Sequence, residues 1–217
     1  VDSFIEYNAI DQRYGYLISR IDDGIKTELD NLIKRIVTDE KNFSSANGHL
    51  IGNISQQYMI TDELSNQFNE FVLQQVNEFN VHNKRKLIDI EYCILNRDSS
   101  FFVDDVWINF QSKNEFNPLH FHTGIYSFVI WHTIPYTIAE EDSYQESRSI
   151  ARFKNHSGKF HFVYNSISTV SIKEIPADKS WEGRIMIFPA KLQHMVYPFY
   201  SSNQHRISIS GNVKIKI

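Results

Sequence analysis

Asn117-Pro118-Leu119-His120-Phe121-His122-Thr123-Gly124 is the stretch on which the reading of this chain turns. Successive side chains of a strand point to opposite faces, so His120 and His122 share one face while Phe121 enters the other layer. Two imidazoles on one side of a strand make two-thirds of a facial metal site. On their own they equally suit two hydrogen-bonded histidines at a strand end. The second half of the pattern lies downstream, in Gly183-Arg184-Ile185-Met186-Ile187-Phe188-Pro189-Ala190-Lys191-Leu192-Gln193-His194. There an apolar strand ends at a proline turn and a histidine follows on the next strand. A jelly roll can pair such a late strand beside an early one, which would bring His194 to the His120/His122 face. Imidazole nitrogen suits Fe(II), Zn or Cu, and open positions on the ion mark a catalytic site.

Around these two stretches, from about residue 87 onward, the chain is a series of short β-rich runs: 88–95, 103–110, 118–122, 126–134, 159–165, 167–175, 184–188, 193–199 and 205–216. Several alternate apolar and polar residues, as in Arg206-Ile207-Ser208-Ile209-Ser210 and Val213-Lys214-Ile215-Lys216-Ile217. Up to about residue 86 helical spacing dominates. Ile25, Leu29, Leu32, Ile33 and Ile36 mark one buried face over 22–37, and Leu64, Phe68, Phe71, Val72, Val76 and Phe79 mark another over 61–80. The expected architecture is one domain over 1–217, mainly β with N-terminal helices: a helical layer (1–86) on a double-stranded β-helix, or jelly roll (87–217). The polar segment 139–158 reads as a loop over one mouth of the barrel and a candidate lid.

Composition narrows the function classes. A formal net charge of −4 without blocks of like charge argues against nucleic acid or an anionic membrane as partner, and Lys84-Arg85-Lys86 reads as a solvated loop. The single cysteine, Cys93, excludes an internal disulfide framework; on a strand it reads as buried and inert. No apolar run reaches membrane-span length and the start does not resemble a signal peptide, so the expected location is the cytoplasm. Oligomeric state is not legible, although the 213–217 strand is a candidate for pairing with a second subunit.

Twelve residues past His194 stand Arg206 and Ser208, on one strand face by alternation. A guanidinium beside a hydroxyl makes a charge-assisted clamp for a carboxylate; an interior structural ion pair is the alternative. Asn109, on Trp107-Ile108-Asn109-Phe110, is a further candidate for the same pocket or a strand-end hydrogen bonder. His132 reads as a core histidine, His156 and His161 as surface residues, and His205 as pointing away from the site. Trp107, Trp131 and Trp181 read as core or pocket wall, and Asp104 and Asp105 as surface residues.

From residue 48 onward the sequence resembles the 2-oxoglutarate/Fe(II) oxygenases carried by tailed phages of marine bacteria, the cyanophages especially. The runs that carry the resemblance include His49-Leu50-Ile51-Gly52-Asn53-Ile54, Trp107-Ile108-Asn109-Phe110 and Glu115-Phe116-Asn117-Pro118 with the His120/His122 motif. They continue through Ile187-Phe188-Pro189-Ala190, His194, Val196-Tyr197-Pro198-Phe199 and Arg206-Ile207-Ser208-Ile209-Ser210-Gly211-Asn212. The resemblance implies a jelly roll whose His120, His122 and His194 bind Fe(II), with Arg206 and Ser208 holding the far carboxylate of 2-oxoglutarate. It further implies O2 as cosubstrate, hydroxylation of a C–H bond, and the host cytoplasm as location for a phage-encoded enzyme. One departure stands out: most 2-oxoglutarate oxygenases carry a carboxylate two residues after the first histidine, where this chain has His122. Two other readings compete, a cupin-like metal enzyme working without 2-oxoglutarate and a non-catalytic jelly-roll binding module.

Overall fold

The computed structural model describes residues 4–93, 100–144, 155–165 and 169–216. Strands β1 (Ile5–Ala9) and β2 (Gly15–Arg20) precede helix α1 (Asp23–Thr38). Strand β3 (Gln56–Met59) and helix α2 (Asn66–Asn83) follow. The remaining elements are β4 (Ser100–Gln111), β5 (Asn117–His120), β6 (Tyr126–Thr133), α3 (Ile138–Ser143), β7 (Phe160–Asn165), β8 (Val170–Ile175), β9 (Arg184–Pro189), β10 (Gln193–Val196) and β11 (Arg206–Lys216). They form two antiparallel sheets, a major one ordered β1-β2-β9-β6-β11-β4-β3 and a minor one ordered β5-β10-β7-β8.

Strand alternation divides the interior into two cores. Phe128, Ile130, Ile185, Ile187, Ile108 and Ile209 turn one face of the major sheet to the buried stripes of α1 and α2. Their neighbours Val129, Trp131, Met186 and Phe188 turn the other way and meet Phe160 and Phe162 of the minor sheet. Both long helices begin at a side-chain cap. Asp22 accepts from the Ile25 amide at 2.8 Å and Ser65 from the Phe68 amide at 3.1 Å.

The structure corrects several expectations. The first 86 residues are not only a helical layer, because β1, β2 and β3 add three strands to the major sheet. The second helix starts at Asn66, after a 3₁₀ turn over Thr61–Glu63, since Ser65 supplies the cap that Thr61 does not. The run 88–95 is not a strand where it is described. Leu87–Glu91 forms a single π-helical turn, which buries Leu87 and Ile88, and 94–99 lie outside the described residues. Cys93 is consequently exposed, at a positive φ of 52°. The polar segment opens with α3, anchored by the buried carboxylate of Glu141, which accepts from the Tyr200 and Ser201 amides. Within the candidate lid over 139–158, residues 145–154 lie outside the described residues. Of the strand considered for pairing with a second subunit, Val213 is flanked by both β4 and β6, whereas Lys214, Ile215 and Lys216 pair with β4 alone among the described residues. No helix among the described residues is long and apolar enough to cross a membrane.

Candidate active site

The minor sheet brings the three histidines together. His194 on β10 stands directly across from His120 on β5, and His122 follows just past the end of β5. The His122 amide donates to the Ala190 carbonyl at 2.8 Å, which ties it to the turn after β9. Ring centroids lie 4.3 Å apart for His120 and His194, and 4.9 Å for both His120–His122 and His122–His194. One ligand nitrogen from each can be chosen so that all three lie within 4.8 Å of one another.

Hydrogen bonding sets the orientation of two rings. His120 Nδ1 donates to the Pro118 carbonyl at 2.6 Å and His194 Nδ1 to the Leu192 carbonyl at 2.9 Å. A carbonyl only accepts, so both rings carry their proton on Nδ1 and keep a lone pair on Nε2. His122 Nε2 lies 3.1 Å from His194 Nε2. Two nitrogens about 2.1 Å from one ion and at right angles to each other stand about 3.0 Å apart, so this spacing fits one ion between them. Burial holds all three imidazoles neutral. Loss of hydration lowers the His120 pKa, pushes His122 down to about 3, and takes His194 well below the ordinary value, with the neighbouring histidines adding to the effect on the last two. Neutral imidazole is the form that binds metal.

The histidines open on a cavity of about 210 Å³ lined on its far side by the major sheet, with the loop 49–52 and Phe160 and Val196 of the minor sheet completing the wall. Its polar lining falls in register. Arg206 pairs with Gln111 across β11 and β4, and Ser208 pairs with Asn109, which in turn faces Gln57 on β3. Gln57 Nε2 donates to Asn109 Oδ1 at 2.7 Å, and Asn109 Nδ2 donates to Ser208 Oγ at 3.3 Å. The Ser208 hydroxyl accepts in that bond, and its own proton is left to donate. Gln57 Oε1 is buried without a partner among the described residues.

Arg206 is 4% exposed. Its Nε and Nη2 donate to Gln111 Oε1 at 3.2 and 2.5 Å, and its Nη1 donates to the Tyr136 hydroxyl at 2.6 Å and the Gly158 carbonyl at 2.9 Å. All of these acceptors are neutral. No carboxylate among the described residues lies within ion-pairing distance of it, so the structural ion pair considered from sequence is not formed there. Burying an unpaired charge is costly, which makes this guanidinium the strongest attractor for an anion in the cavity.

Other histidines and acids fall elsewhere. His132 Nε2 lies 2.7 Å from Asp30 Oδ1, bridging β6 to α1, and is not an apolar core residue. His161 is fully buried, in place of the surface position expected for it, with the rings of His156 and Tyr197 packed against it at 4.8 and 5.0 Å, while His156 stays partly exposed. His205 is exposed. Asp104 and Asp105 pair with Lys214, and the histidine cluster contains no carboxylate among the described residues. Trp107 and Trp131 line the cavity, and Trp181 packs edge-on against Trp131 at 5.2 Å. Sequence reasoning missed Gln57, Gln111, Tyr136 and the Gly158 carbonyl, for which no local pattern existed.

Residues 105–212 match the model of the family described as "Putative 2OG-Fe(II) oxygenase", a span holding all three histidines, Asn109, Arg206 and Ser208. The match names the oxygenase family and no phage origin. Among solved structures, a prolyl-4-hydroxylase of Pseudomonas putida is similar at 12% identity over 93% of this chain and 92% of that one, with a TM-score of 0.50. A 2OG-Fe(II) oxygenase family oxidoreductase from Burkholderia pseudomallei is 13% identical over 89% of this chain and 79% of that one, with a TM-score of 0.44. At such identity the first likeness speaks to the fold, and the second carries no argument. No curated protein matches the sequence. The family match supports an oxidoreductase of the 2OG-Fe(II) oxygenase type, a family whose cofactors are Fe(II) and 2-oxoglutarate.

Proposed function

We propose that this chain is an Fe(II)- and 2-oxoglutarate-dependent dioxygenase that hydroxylates a C–H bond, with His120, His122 and His194 as the metal ligands. The observation that carries this reading is the pairing, in one cavity, of three convergent neutral imidazoles with a buried guanidinium that has no carboxylate partner among the described residues. A keto-diacid has the matching chemistry, with a chelating end for a metal and a carboxylate for Arg206. When bound, Fe(II) with 2-oxoglutarate and O2 supplies the oxidising chemistry, in which decarboxylation of the keto acid is coupled to oxygen insertion.

The protein's own groups then have definite tasks. Pro118 and Leu192 carbonyls hold the His120 and His194 rings with Nε2 inward. Four of the five N–H groups of Arg206 are engaged by Gln111, Tyr136 and Gly158, which fixes the plane of the guanidinium and leaves one Nη2 proton. The carboxylate is met by that proton and by the Ser208 hydroxyl, which Asn109 orients. Trp107, Trp131 and Phe188 wall the cavity and keep water from the reacting atoms. Because the ligand set is all neutral, the ion keeps its full charge until the diacid binds. Iron is accordingly held more weakly alone than with 2-oxoglutarate present.

Anaerobic titration of metal-free protein with Fe(II) and then 2-oxoglutarate tests this directly, through the visible charge-transfer band of the chelate. The band is expected in the parent, absent in His194→Ala for want of metal, and absent in Arg206→Ala with Fe(II) still bound. Iron binding without a band in the parent would favour a cupin-like enzyme, and no iron binding at all would favour a non-catalytic module.

A further inference from the structure

A second cluster of metal-type donors lies on the outer face of the minor sheet. His161 of β7 and Glu174 of β8 are cross-strand partners, and His156 comes from the loop that precedes β7. The two oxygens of Glu174 are divided between different neighbours. Oε1 faces the Lys159 ammonium at 3.3 Å, whereas Oε2 lies 3.3 Å from His156 Nδ1 and 3.5 Å from His161 Nε2. Zinc ligands at about 2.1 Å and tetrahedral angles stand about 3.4 Å apart, and two imidazoles with one carboxylate oxygen are donors that zinc takes readily. One ligand atom from each of the three residues can be chosen so that all lie within 4.8 Å of one another. Tyr197 closes one side, with its ring 5.2 Å from that of His156 and 5.0 Å from that of His161.

We propose that His156, His161 and Glu174 form a second divalent-cation site, of zinc type, separate from the three-histidine cavity. Water completes the coordination, since the His156 side chain is about a third exposed. Lys159 does not occupy the position of the ion: its ammonium binds Oε1 and donates to the Asn155 carbonyl at 2.7 Å, holding the loop that presents His156. Its charge opposes a cation nearby and sets the affinity below that of a closed, all-anionic zinc site.

The site has a structural consequence. Gly158, two residues past His156, supplies the carbonyl that accepts from both the Tyr136 hydroxyl and Arg206 Nη1. A cation joining His156 to β7 and β8 therefore fastens the segment that orients the guanidinium in the cavity. The cluster thus acts as a staple on Arg206 from outside the barrel.

Zinc stoichiometry tests the proposal, measured by equilibrium dialysis against Zn(II) and elemental analysis of the full-length protein. The parent is expected to bind two equivalents. A His120→Ala/His194→Ala variant, left with one imidazole in the cavity, is expected to keep one. Co(II) in that variant should give the intense visible bands of a four-coordinate ion. Adding His156→Ala should weaken the remaining equivalent at least about a hundredfold, because even loss of a ligand's hydrogen-bonding partner commonly costs tenfold to a hundredfold. If the double variant fails to fold, His156→Ala in the parent should still reduce two equivalents to one. Absence of Zn(II) from the folded double variant, or an affinity unchanged by His156→Ala, would overturn the site whatever the three-histidine cavity binds.

Discussion

At the scale of single residues, the decisive property of the three histidines is that folding keeps them neutral. Their folded pKa values are lowered by burial, that of His122 to about 3. In an unfolded chain each titrates near about 6.5. Above that pH both states carry neutral rings and stability is unaffected. As pH falls below it, the unfolded chain takes up protons that the folded chain refuses, so stability drops with pH. For His122 the loss is about 2 kcal/mol by pH 5, at about 1.4 kcal/mol per pH unit. The urea midpoint of metal-free protein should fall between pH 7 and pH 5, and the fall should be shallower in His122→Ala. An equal slope in both proteins would mean that His122 is not held neutral. At this scale the sequence was most informative where strand alternation applied. It put His120 with His122 and Arg206 with Ser208 on common faces; β11 carries the second pair so, whereas β5 ends at His120 and His122 meets the other two rings from just beyond it. It failed for His161, because burial there depends on the rings of His156 and Tyr197 packing against it.

Among elements, the loop before β7 matters more than its polar composition suggested. Gly158 has a φ of 71°, a left-handed conformation that L side chains adopt at a cost. A Cβ there would stand 2.6 Å from the ring of the buried Tyr136. Tyr136 cannot swing aside cheaply, since it stacks on Phe199 at 5.0 Å and its hydroxyl bridges Gly158 and Arg206. Gly158→Ala should therefore cost about 2–4 kcal/mol. It should also weaken 2-oxoglutarate binding more than Fe(II) binding, because the displaced group orients Arg206 and not the histidines. Chemical denaturation and the two titrations would check both halves. Should Fe(II) affinity fall as much as that for the diacid, the two ends of the cavity are mechanically coupled. None of this loop's role was legible in sequence, since the hydrogen bonds join Tyr136, Gly158 and Arg206 across long chain separations. The strand elements were far more legible, and the β-rich runs from 103 onward correspond closely to β4 through β11.

For the whole molecule, the arrangement is helices, major sheet, cavity and minor sheet, so the helical layer supports the site only through the major sheet. Strands β1 and β2 escaped the sequence reading for a related reason. Tyr16-Leu17-Ile18-Ser19 is buried on both faces, between helices and minor-sheet core, and so shows no alternation. Phe79 marks the junction of these parts. Fully buried on α2, it packs edge-on against Tyr7 of β1 at 5.4 Å and Tyr126 of β6 at 5.3 Å. Truncating it removes an aromatic ring from a closed core, so Phe79→Ala should cost about 3–5 kcal/mol. Yet Tyr126 turns toward α2, and the cavity opens on the far side of the same sheet. At a temperature where the variant remains folded, its affinity for Fe(II) should stay within about twofold of the parent, as expected for distant sites that share no partners. Denaturation by urea and an anaerobic iron titration on the same preparation separate the two effects. A large loss of iron affinity in the folded variant would show that the helical layer shapes the cavity through the sheet, and α2 would then belong to the working part of the site.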